Sequence, residues 1–434
     1  MGNLFGTDGI RGVAGEYPMT VEFCYRLAEA VFAKFCTSED RKHTILIGKD
    51  TRISGDTLEH AMAAAFCSCG ADVKLIGVVP TPAVSILTPK FDASVGIMVT
   101  ASHNPFLYNG IKLFDENGLK LSEERENEIE SINAAPLLRK LKVQSMGRAE
   151  YVPGALDVYC DKIINSFKSF DGCGVKKIVV DCANGSFSAI ASKILKKLGF
   201  DVISIHDSPD GVNINENCGV LYPDVLGNAV REHRADAGIA FDGDGDRVII
   251  SDRNGEIRDG EQILAILAKS GSSKEVVSTV MSNSALGQYL KSVGVELAEV
   301  NVGDRNILEY MQLKKDVEFG AEASGHIIIR SHALTGDGLF AALKVIEQRG
   351  VENFLFRPNP VVSTNVFVKN RLLMNDKTMQ DVVRKFKKQL EGRGKLTVRM
   401  SGTEPLLRIY VDGENKEELQ KIRDEILEAA GRLL

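Results

Sequence analysis

Four apolar runs of the sequence end in clusters of polar residues, and helix-compatible segments lie between them. The runs are TILIGKDTR (44–52), VGIMVTASHNP (95–105), KIVVDCANG (177–185) and AGIAFDGDGDR (237–247). This alternation is typical of α/β folds, in which a largely parallel sheet is covered on both faces. Because such sheets bind ligands beyond the carboxyl ends of their strands, the polar residues that end these runs are the first candidates for a functional site.

The length of the chain predicts more than one domain. At roughly 150 residues per domain, 434 residues correspond to about three domains. Helical periodicity is lost before residue 150, a second boundary is expected near 251, and two prolines interrupt FRPNPVVST (356–364). After the prolines, the pattern predicts a strand, a helix, two strands and a final helix, which together make a small α+β domain. The predicted domains are 1–150, 151–251, 252–361 and 362–434.

Charge and cysteine content exclude several classes of protein. The net charge of −6 has the wrong sign for binding nucleic acid through a broadly basic surface. The eight cysteines include no Cys-x-x-Cys pair, so their spacing indicates neither a zinc site nor a disulfide framework. The sequence has no basic segment leading into an apolar stretch at its start, and no apolar run of about 18 residues. We therefore expect a cytoplasmic protein without a nucleic-acid or membrane partner.

The run that ends in TASHNP places Ser102 at the carboxyl end of a predicted strand. Asn104 and Pro105 favour a turn directly after it, which would hold the serine hydroxyl in one position. An esterase elbow is excluded, because G-x-S-x-G requires glycine where Thr100 and Asn104 stand. Ser102 is therefore either part of a plain turn or helix cap, or a nucleophile for chemistry other than ordinary ester hydrolysis.

The DGDGDR loop places Asp242, Asp244 and Asp246 at alternate positions, with glycines between them that permit tight curvature. The loop is either a solvated acidic turn or a site for one hard cation. A calcium EF-hand is excluded, because Arg247 and Arg253 stand where that motif needs Gly and Glu. Three carboxylates leave room for water and a phosphate oxygen, which favours magnesium.

Two further loops carry polar residues suited to a sugar phosphate, although each is also compatible with an ordinary turn. In GAEASGH, Glu322 and Ser324 offer an acceptor and a donor for neighbouring sugar hydroxyls, and His326 is suited to binding an anion. In RMSGTEP, Arg399 suits an oxyanion, and Gly402 between hydroxyl residues permits a nest of backbone N–H groups.

Together and in this order, TASHNP, DGDGDR, GAEASGH and RMSGTEP resemble the active-site loops of the α-D-phosphohexomutase family, and the resemblance spans the whole chain. FGTDGIRG and NGIKLF are most similar to the bacterial branch that acts on glucosamine phosphates, although Ala323 stands where that branch commonly has Gln. The resemblance implies three similar mixed α/β domains plus a smaller C-terminal α+β domain around a central active-site cleft.

The resemblance also implies a reaction and a set of site residues. Glucosamine 6-phosphate and glucosamine 1-phosphate would interconvert through a phosphoserine at Ser102, with glucosamine 1,6-bisphosphate as intermediate and activator, on the route to UDP-N-acetylglucosamine. One Mg²⁺ per chain would be held by Ser102, Asp242, Asp244 and Asp246. The implied catalytic residues are Ser102, Arg11, Lys112, Arg247 and His326, with Lys112 and His326 as candidates for the general base. The implied substrate-binding residues are Glu322, Ser324, Arg399, Ser401, Gly402 and Thr403.

The expected partner is a small sugar phosphate, and the branch suggests a homodimer. Three alternatives stay open at this point. They are a phosphomannomutase or phosphoglucomutase of the same family, a catalytically silent sugar-phosphate-binding module, and a metal-dependent phosphatase.

Overall fold

The computed structural model describes residues 4–6, 8–37, 42–133, 145–271, 273–368, 373–400 and 405–431. These residues form four β-sheets, each accompanied by helices that precede, follow or connect its strands. The first three sheets are mixed and the fourth is antiparallel. The predicted fold class, three α/β domains followed by a smaller C-terminal domain, is confirmed.

The first sheet contains six strands in the order β1-β5-β4-β2-β3-β6. Strands β4, β2, β3 and β6 are parallel, and β5 and β1 extend this sheet in antiparallel pairing. The strands are β1 (Ile10–Val13), β2 (Thr44–Lys49), β3 (Asp72–Val78), β4 (Val95–Val99), β5 (Tyr108–Phe114) and β6 (Ala149–Tyr151). The helices are α1 (Val21–Phe35), α2 (Gly55–Ser68), α3 (Thr81–Lys90) and α4 (Glu123–Asn133).

The second sheet has the order β11-β10-β9-β7-β8, with β8, β7 and β9 parallel and the other two strands antiparallel. The strands are β7 (Lys177–Asp181), β8 (Asp201–Ile205), β9 (Ala237–Phe241), β10 (Val248–Asp252) and β11 (Ile257–Arg258). The helices are α5 (Ala155–Asn165), α6 (Ala191–Lys197) and α7 (Pro223–His233).

The third sheet has the order β13-β12-β14-β15, in which only the β14–β15 pair is antiparallel. The strands are β12 (Glu275–Thr279), β13 (Glu296–Val300), β14 (Phe319–Ala321) and β15 (Ile327–Ile329). The helices are α8 (Gly260–Ser270), α9 (Ser284–Ser292), α10 (Asp304–Leu313) and α11 (Gly338–Glu347).

The C-terminal sheet is antiparallel, in the order β16-β18-β17. Its elements are β16 (Val361–Phe367), α12 (Lys377–Gln389), β17 (Gly394–Met400), β18 (Leu406–Gly413) and α13 (Lys416–Gly431). This is the predicted succession of strand, helix, two strands and helix. The fourth domain has its own apolar core, in which Ile409 of β18 packs with Ile422 of α13.

One continuous apolar core joins the first three domains. It includes Met98 from the first sheet, Ile178 from the second and Ile263 from α8 of the third domain. Burial of apolar side chains across the domain boundaries holds the carboxyl ends of β4 and β9 in a fixed relation. Among the described helices, none combines the length and the apolar character needed to cross a bilayer.

Candidate active site

Ser102 follows β4 in a tight turn and is fully buried. Its φ of +52° lies in the left-handed region, which non-glycine residues rarely adopt. Its N–H donates to Thr100 Oγ1 at 2.9 Å, and Thr100 Oγ1 in turn donates to Asp50 Oδ2 at 2.6 Å. The Ser102 hydroxyl donates to Asp242 Oδ2 at 2.6 Å. The turn therefore directs the hydroxyl from the first domain toward residues 242–247 of the second domain, which we call the acidic loop.

Arg52 and Asn215 donate hydrogen bonds to backbone carbonyl oxygens of the loop that contains Ser102, which we call the serine loop. The guanidinium of Arg52 is buried and donates to the carbonyl oxygens of Ser102 at 2.9 Å and Asn104 at 2.8 Å. Asn215 Nδ2 donates to the same two oxygens at 2.9 and 3.0 Å. Arg52 is itself fixed by Asp50, whose Oδ2 accepts from Nε at 2.9 Å. The loop conformation is thus set by contacts from both domains.

The acidic loop after β9 brings Asp242, Asp244 and Asp246 together. One carboxylate oxygen of each lies within 4.8 Å of the other two, and all three residues are buried. The loop needs Gly243, because a Cβ there would lie 2.8 Å from the Ser102 carbonyl oxygen. Burial and the neighbouring carboxylates of Asp244 and Asp246 raise the pKa of Asp242 well above its ordinary value. A cation between the carboxylates would relieve this repulsion.

Two carboxylate oxygens of this loop fit such a cation. Asp244 Oδ1 and Asp246 Oδ1 are buried and have no hydrogen-bond partner among the described residues. Their other oxygens are occupied: Lys112 Nζ donates to Asp244 Oδ2 at 2.8 Å and to Asp246 Oδ2 at 2.7 Å. Because unpartnered buried oxygens are costly, the two Oδ1 atoms are the atoms best placed to bind a hard ion.

Lys112 on β5 lies at the centre of the charged groups. Its Nζ is also 3.0 Å from Asp8 Oδ2. Burial alone would lower the pKa of Lys112, but the carboxylates of Asp244, Asp246 and Asp8 together raise it well above its ordinary value. Lys112 is therefore held as an ammonium group.

Asp8 connects the predicted Arg11 to this cluster. Arg11 Nη2 forms an ion pair with Asp8 Oδ2, and Lys120 Nζ pairs with both Asp8 and Asp304. Burial would raise the pKa of Asp8, but Lys112, Lys120 and Arg11 hold it well below its ordinary value. Lys120 therefore connects the charged side chains of the first domain to Asp304, the first residue of α10 in the third domain.

The loop between β14 and β15 borders a cavity of about 330 Å³ that also contains Arg247 and Asp8. Glu322 Oε1 accepts a hydrogen bond from Gly303 N at 3.2 Å. Ser324 is exposed and lies with its Oγ 3.4 Å from Glu322 Oε2. An acceptor and a donor therefore stand side by side at the cavity wall.

His326 and Arg247 join this cavity to the acidic loop. His326 Nδ1 lies 3.7 Å from Asp246 Oδ2, and its Nε2 lies 3.5 Å from Asp304 Oδ2. Burial alone would lower the pKa of His326, but the two carboxylates raise it. The backbone N–H of Arg247 donates to Asp242 Oδ1 at 3.1 Å, and its buried Nε has no hydrogen-bond partner among the described residues.

Of the predicted site residues in the C-terminal domain, the structure describes only Arg399. Arg399 lies on β17 opposite Arg408 of β18, and its buried Nε has no hydrogen-bond partner in the described part of the chain. Burial and the charge of Arg408 lower the pKa of Arg399. Ser401, Gly402 and Thr403 lie outside the described residues. The role of Arg399 in binding phosphate therefore stays a prediction.

The structure therefore brings together residues from the first three domains: Ser102, Arg11, Lys112, Asp242, Asp244, Asp246, Arg247, Glu322, Ser324 and His326. It adds residues that the sequence reasoning missed: Asp8, Asp50, Arg52, Lys120, Asn215 and Asp304. The sequence pattern points to two of them: Asp50 and Arg52 end the first apolar run, just as Ser102 follows the second.

The chain matches four domain families along its length. They are described as Phosphoglucomutase/phosphomannomutase, alpha/beta/alpha domain I, domain II, domain III and C-terminal domain, and they match residues 2–138, 157–255, 259–352 and 364–429. A phosphoglucosamine mutase of Desulforamulus reducens is 43% identical over 100% of both chains. A phosphoglucosamine mutase of Zymomonas mobilis is 42% identical over 99% of this chain and 98% of its own.

The fold is also similar to that of solved structures. A phosphoglucomutase/phosphomannomutase family protein from Burkholderia thailandensis superposes with a TM-score of 0.79 at 22% identity. The superposition covers 98% of this chain and 96% of the other.

Proposed function

The chain belongs to the phosphoglucomutase/phosphomannomutase family, and from this premise we propose that it acts as a phosphoglucosamine mutase. It is an isomerase that interconverts D-glucosamine 6-phosphate and α-D-glucosamine 1-phosphate, on the route to UDP-N-acetylglucosamine. The observation that carries the chemistry is the Ser102 hydroxyl, which donates at 2.6 Å into the acidic loop beside the cavity that contains Glu322. Full-length identity of about 42% to curated phosphoglucosamine mutases supports the amino-sugar substrate.

Ser102 carries the phosphoryl group in the active enzyme. In the first transfer, the bond between phosphorus and Ser102 Oγ breaks, and a bond forms between phosphorus and the free hydroxyl oxygen of the sugar phosphate. The hydroxyl proton leaves to a base, and Ser102 Oγ, the leaving group, takes up a proton. The resulting 1,6-bisphosphate turns over in the cleft. In the return transfer the Ser102 hydroxyl loses its proton as Oγ bonds to the other phosphorus, and the sugar oxygen that is released takes up a proton.

The acidic loop holds one magnesium ion in this proposal. Its unpartnered Oδ1 atoms of Asp244 and Asp246 fit a hard cation with oxygen ligands, and Asp242 and an oxygen of phosphorylated Ser102 would complete the protein's share of the ligands. When bound, the ion offsets negative charge on the transferring phosphoryl group.

The cationic side chains around Ser102 stabilise the charge that develops during transfer. Lys112 acts as an ammonium group, because three carboxylates hold its proton. Arg247 supplies further positive charge at the cavity wall, and Arg11 does so through its ion pair with Asp8, which also lines the cavity. His326 lies between two carboxylates and is the remaining candidate for moving a proton.

The substrate is held at both ends. Glu322 and Ser324 accept from and donate to neighbouring sugar hydroxyls at the cavity wall. Arg399, Ser401, Gly402 and Thr403 hold the phosphate that does not react. A homodimer and a cytoplasmic location stay predictions.

A coupled assay on the purified full-length chain tests this function. Glucosamine 6-phosphate, glucose 6-phosphate and mannose 6-phosphate are offered in turn, with magnesium and a trace of sugar bisphosphate, and the 1-phosphate and inorganic phosphate are both measured. We expect glucosamine 6-phosphate to give the highest kcat/KM, with no accumulation of inorganic phosphate. A preference for glucose or mannose phosphate would favour the other branches, released phosphate a phosphatase, and binding without turnover a silent module.

A further inference from the structure

A second group of metal-ligating side chains lies in the second domain, apart from the acidic loop. Asp181 ends β7, His206 follows β8, and Cys218 precedes a short 3-10 helix at Gly219–Leu221. One ligand atom of each lies within 4.8 Å of those of the other two. Within the described part of the chain, only this group and the three aspartates of the acidic loop converge in this way.

Asp181 is fully buried, and the backbone fixes its orientation. Its Oδ1 accepts from Ala183 N at 2.9 Å, and its Oδ2 accepts from Gly219 N at 2.8 Å. Each carboxylate oxygen retains a second lone pair. Hydrogen bonds of this kind orient carboxylates that bind metals.

His206 faces this carboxylate closely. Its Nδ1 lies 3.1 Å from Asp181 Oδ1, which is within ion-pair distance. At this separation the two atoms are also close enough to bind one cation together. The imidazole is about one third exposed, so an ion has a path from solvent.

Cys218 supplies the third ligand from a buried position. Like other buried cysteines away from cationic groups, it is a thiol when no metal is bound. A bound metal ion displaces such a proton to solvent. Asp207 and Glu216 are exposed beside the cluster, and their charges favour a cation.

We propose that Asp181, His206 and Cys218 form a second metal site, which takes one thiophilic divalent cation of the zinc class with water in its open position. Carboxylate, imidazole and thiolate ligands together suit zinc, whereas magnesium prefers oxygen ligands alone. The site therefore differs in metal preference from the acidic loop. Cysteine spacing does not reveal it, because its ligands come from three separate segments.

The site is connected to the serine loop through the segment that contains Cys218. Asn215, three residues earlier, donates its backbone N–H to Ala183 O at 2.9 Å and its side chain to Ser102 O at 2.9 Å. A metal ion that binds Asp181 and Cys218 would fix the Cys218 end of this segment, while the hydrogen bond from Asn215 N–H to Ala183 O holds its other end. We therefore expect metal binding to raise the thermal stability of the second domain and to restrict the loop around Ser102.

Cobalt titration of the full-length, metal-stripped protein tests the site, because Co²⁺ takes the same ligands as zinc and absorbs characteristically when bound to thiolate. We expect a thiolate-to-cobalt charge-transfer band that saturates at one equivalent, and displacement of the band by zinc. Cys218→Ser should abolish the band. His206→Asn, at a position that is about one third exposed, should weaken cobalt affinity by about 100-fold or more.

Two control variants make the result specific. Cys160→Ser removes a half-buried thiol of α5 in the same domain, and Asp244→Asn alters the acidic loop; both should keep the band. A wild-type protein without a thiolate band would overturn the proposal. So would a band that survives Cys218→Ser, or one that survives His206→Asn with unchanged affinity.

Discussion

The Ser102 hydroxyl donates a 2.6 Å hydrogen bond to Oδ2 of Asp242, across the boundary between the first and second domains. Ser102 takes a left-handed backbone conformation to make this contact, and both residues are buried. Backbone strain of this kind persists only where surrounding contacts hold it, and it is common at functional sites. The nucleophile and the acidic loop are therefore aligned in the folded chain before substrate binds.

Replacing Ser102 by alanine should abolish turnover and leave the fold intact, because the backbone contacts of the loop to Arg52 and Asn215 do not involve the hydroxyl. Intact-mass measurement and peptide mapping of active wild-type enzyme should place one phosphate on Ser102. A phosphate on another residue, or an alanine variant with near-normal turnover, would contradict the assignment. Thr100→Ser is a suitable comparison, since it keeps a hydroxyl beside Ser102.

Removal of magnesium by a chelator should abolish turnover, and added magnesium should restore it. Asp244→Asn should weaken magnesium affinity by about 10- to 100-fold, because it removes a charge from a hard-ion site. Asp210→Asn, at an exposed position, serves as the control and should bind magnesium normally. Titration calorimetry of both variants measures the affinities. Full activity in metal-free buffer would show that the acidic loop does not need an ion.

Arg52→Lys should lower kcat by about 100-fold with little change in KM, because one ammonium group is unable to replace a guanidinium that contacts several carbonyl oxygens of the serine loop. Circular dichroism should show a folded variant. Arg253→Lys is the matched control, since Arg253 forms an exposed ion pair with Glu352. If Arg52→Lys kept the wild-type kcat, the loop would not depend on Arg52 for its position.

Local sequence patterns were sufficient to predict the loops, because Ser102 and the three aspartates each follow a strongly apolar strand. The residues that hold these loops were not predictable in the same way. Arg52 contacts the serine loop from 50 residues away in the chain, and Asn215 from 113 residues away. Such contacts depend on how the sheets pack against one another, which no local pattern contains.

The charged connection between domains was missed for the same physical reason. Lys120 of the first domain donates to Asp8 of the same domain and to Asp304 of the third, 184 residues further along the chain. On the sequence each is an ordinary charged residue, of the kind usually found on a solvated surface. Their ion pairs and the low exposure of all three side chains show that they form one charged cluster.

Burial of Glu261 gives the stability of the protein a specific pH dependence. Burial raises its pKa from 4.5 to about 7, although Asn283 N–H donates to its Oε1 at 2.8 Å. Between these values the folded chain binds the proton more tightly than the unfolded chain, so this residue's contribution to stability declines as pH rises through that window. Glu261→Gln keeps the acceptor for Asn283 and removes the charge.

We expect Glu261→Gln to be more stable than wild type by about 3 kcal/mol at pH 8 and equally stable near pH 4. Urea unfolding at a series of pH values measures the difference. Glu309→Gln, at an exposed position on α10, should leave the pH profile unchanged. A constant difference between the Glu261 variant and wild type at all pH values would mean that titration of this residue is not the cause.

Arg399→Ala should weaken binding of the sugar phosphate by about 1.5–3 kcal/mol, the range for hydrogen bonds to a charged group. Arg399 lies opposite Arg408, and its buried Nε has no hydrogen-bond partner among the described residues, so an anion would satisfy both the charge and the donor. Because the bisphosphate must turn over without being lost, a weaker hold on its distant phosphate should also increase its escape into solution. Arg393→Ala, which removes an exposed arginine paired with Glu418 just before β17, is the control. Initial rates give KM, and the bisphosphate released per turnover is measured separately. Unchanged substrate affinity in the Arg399 variant would mean that this residue does not bind the phosphate.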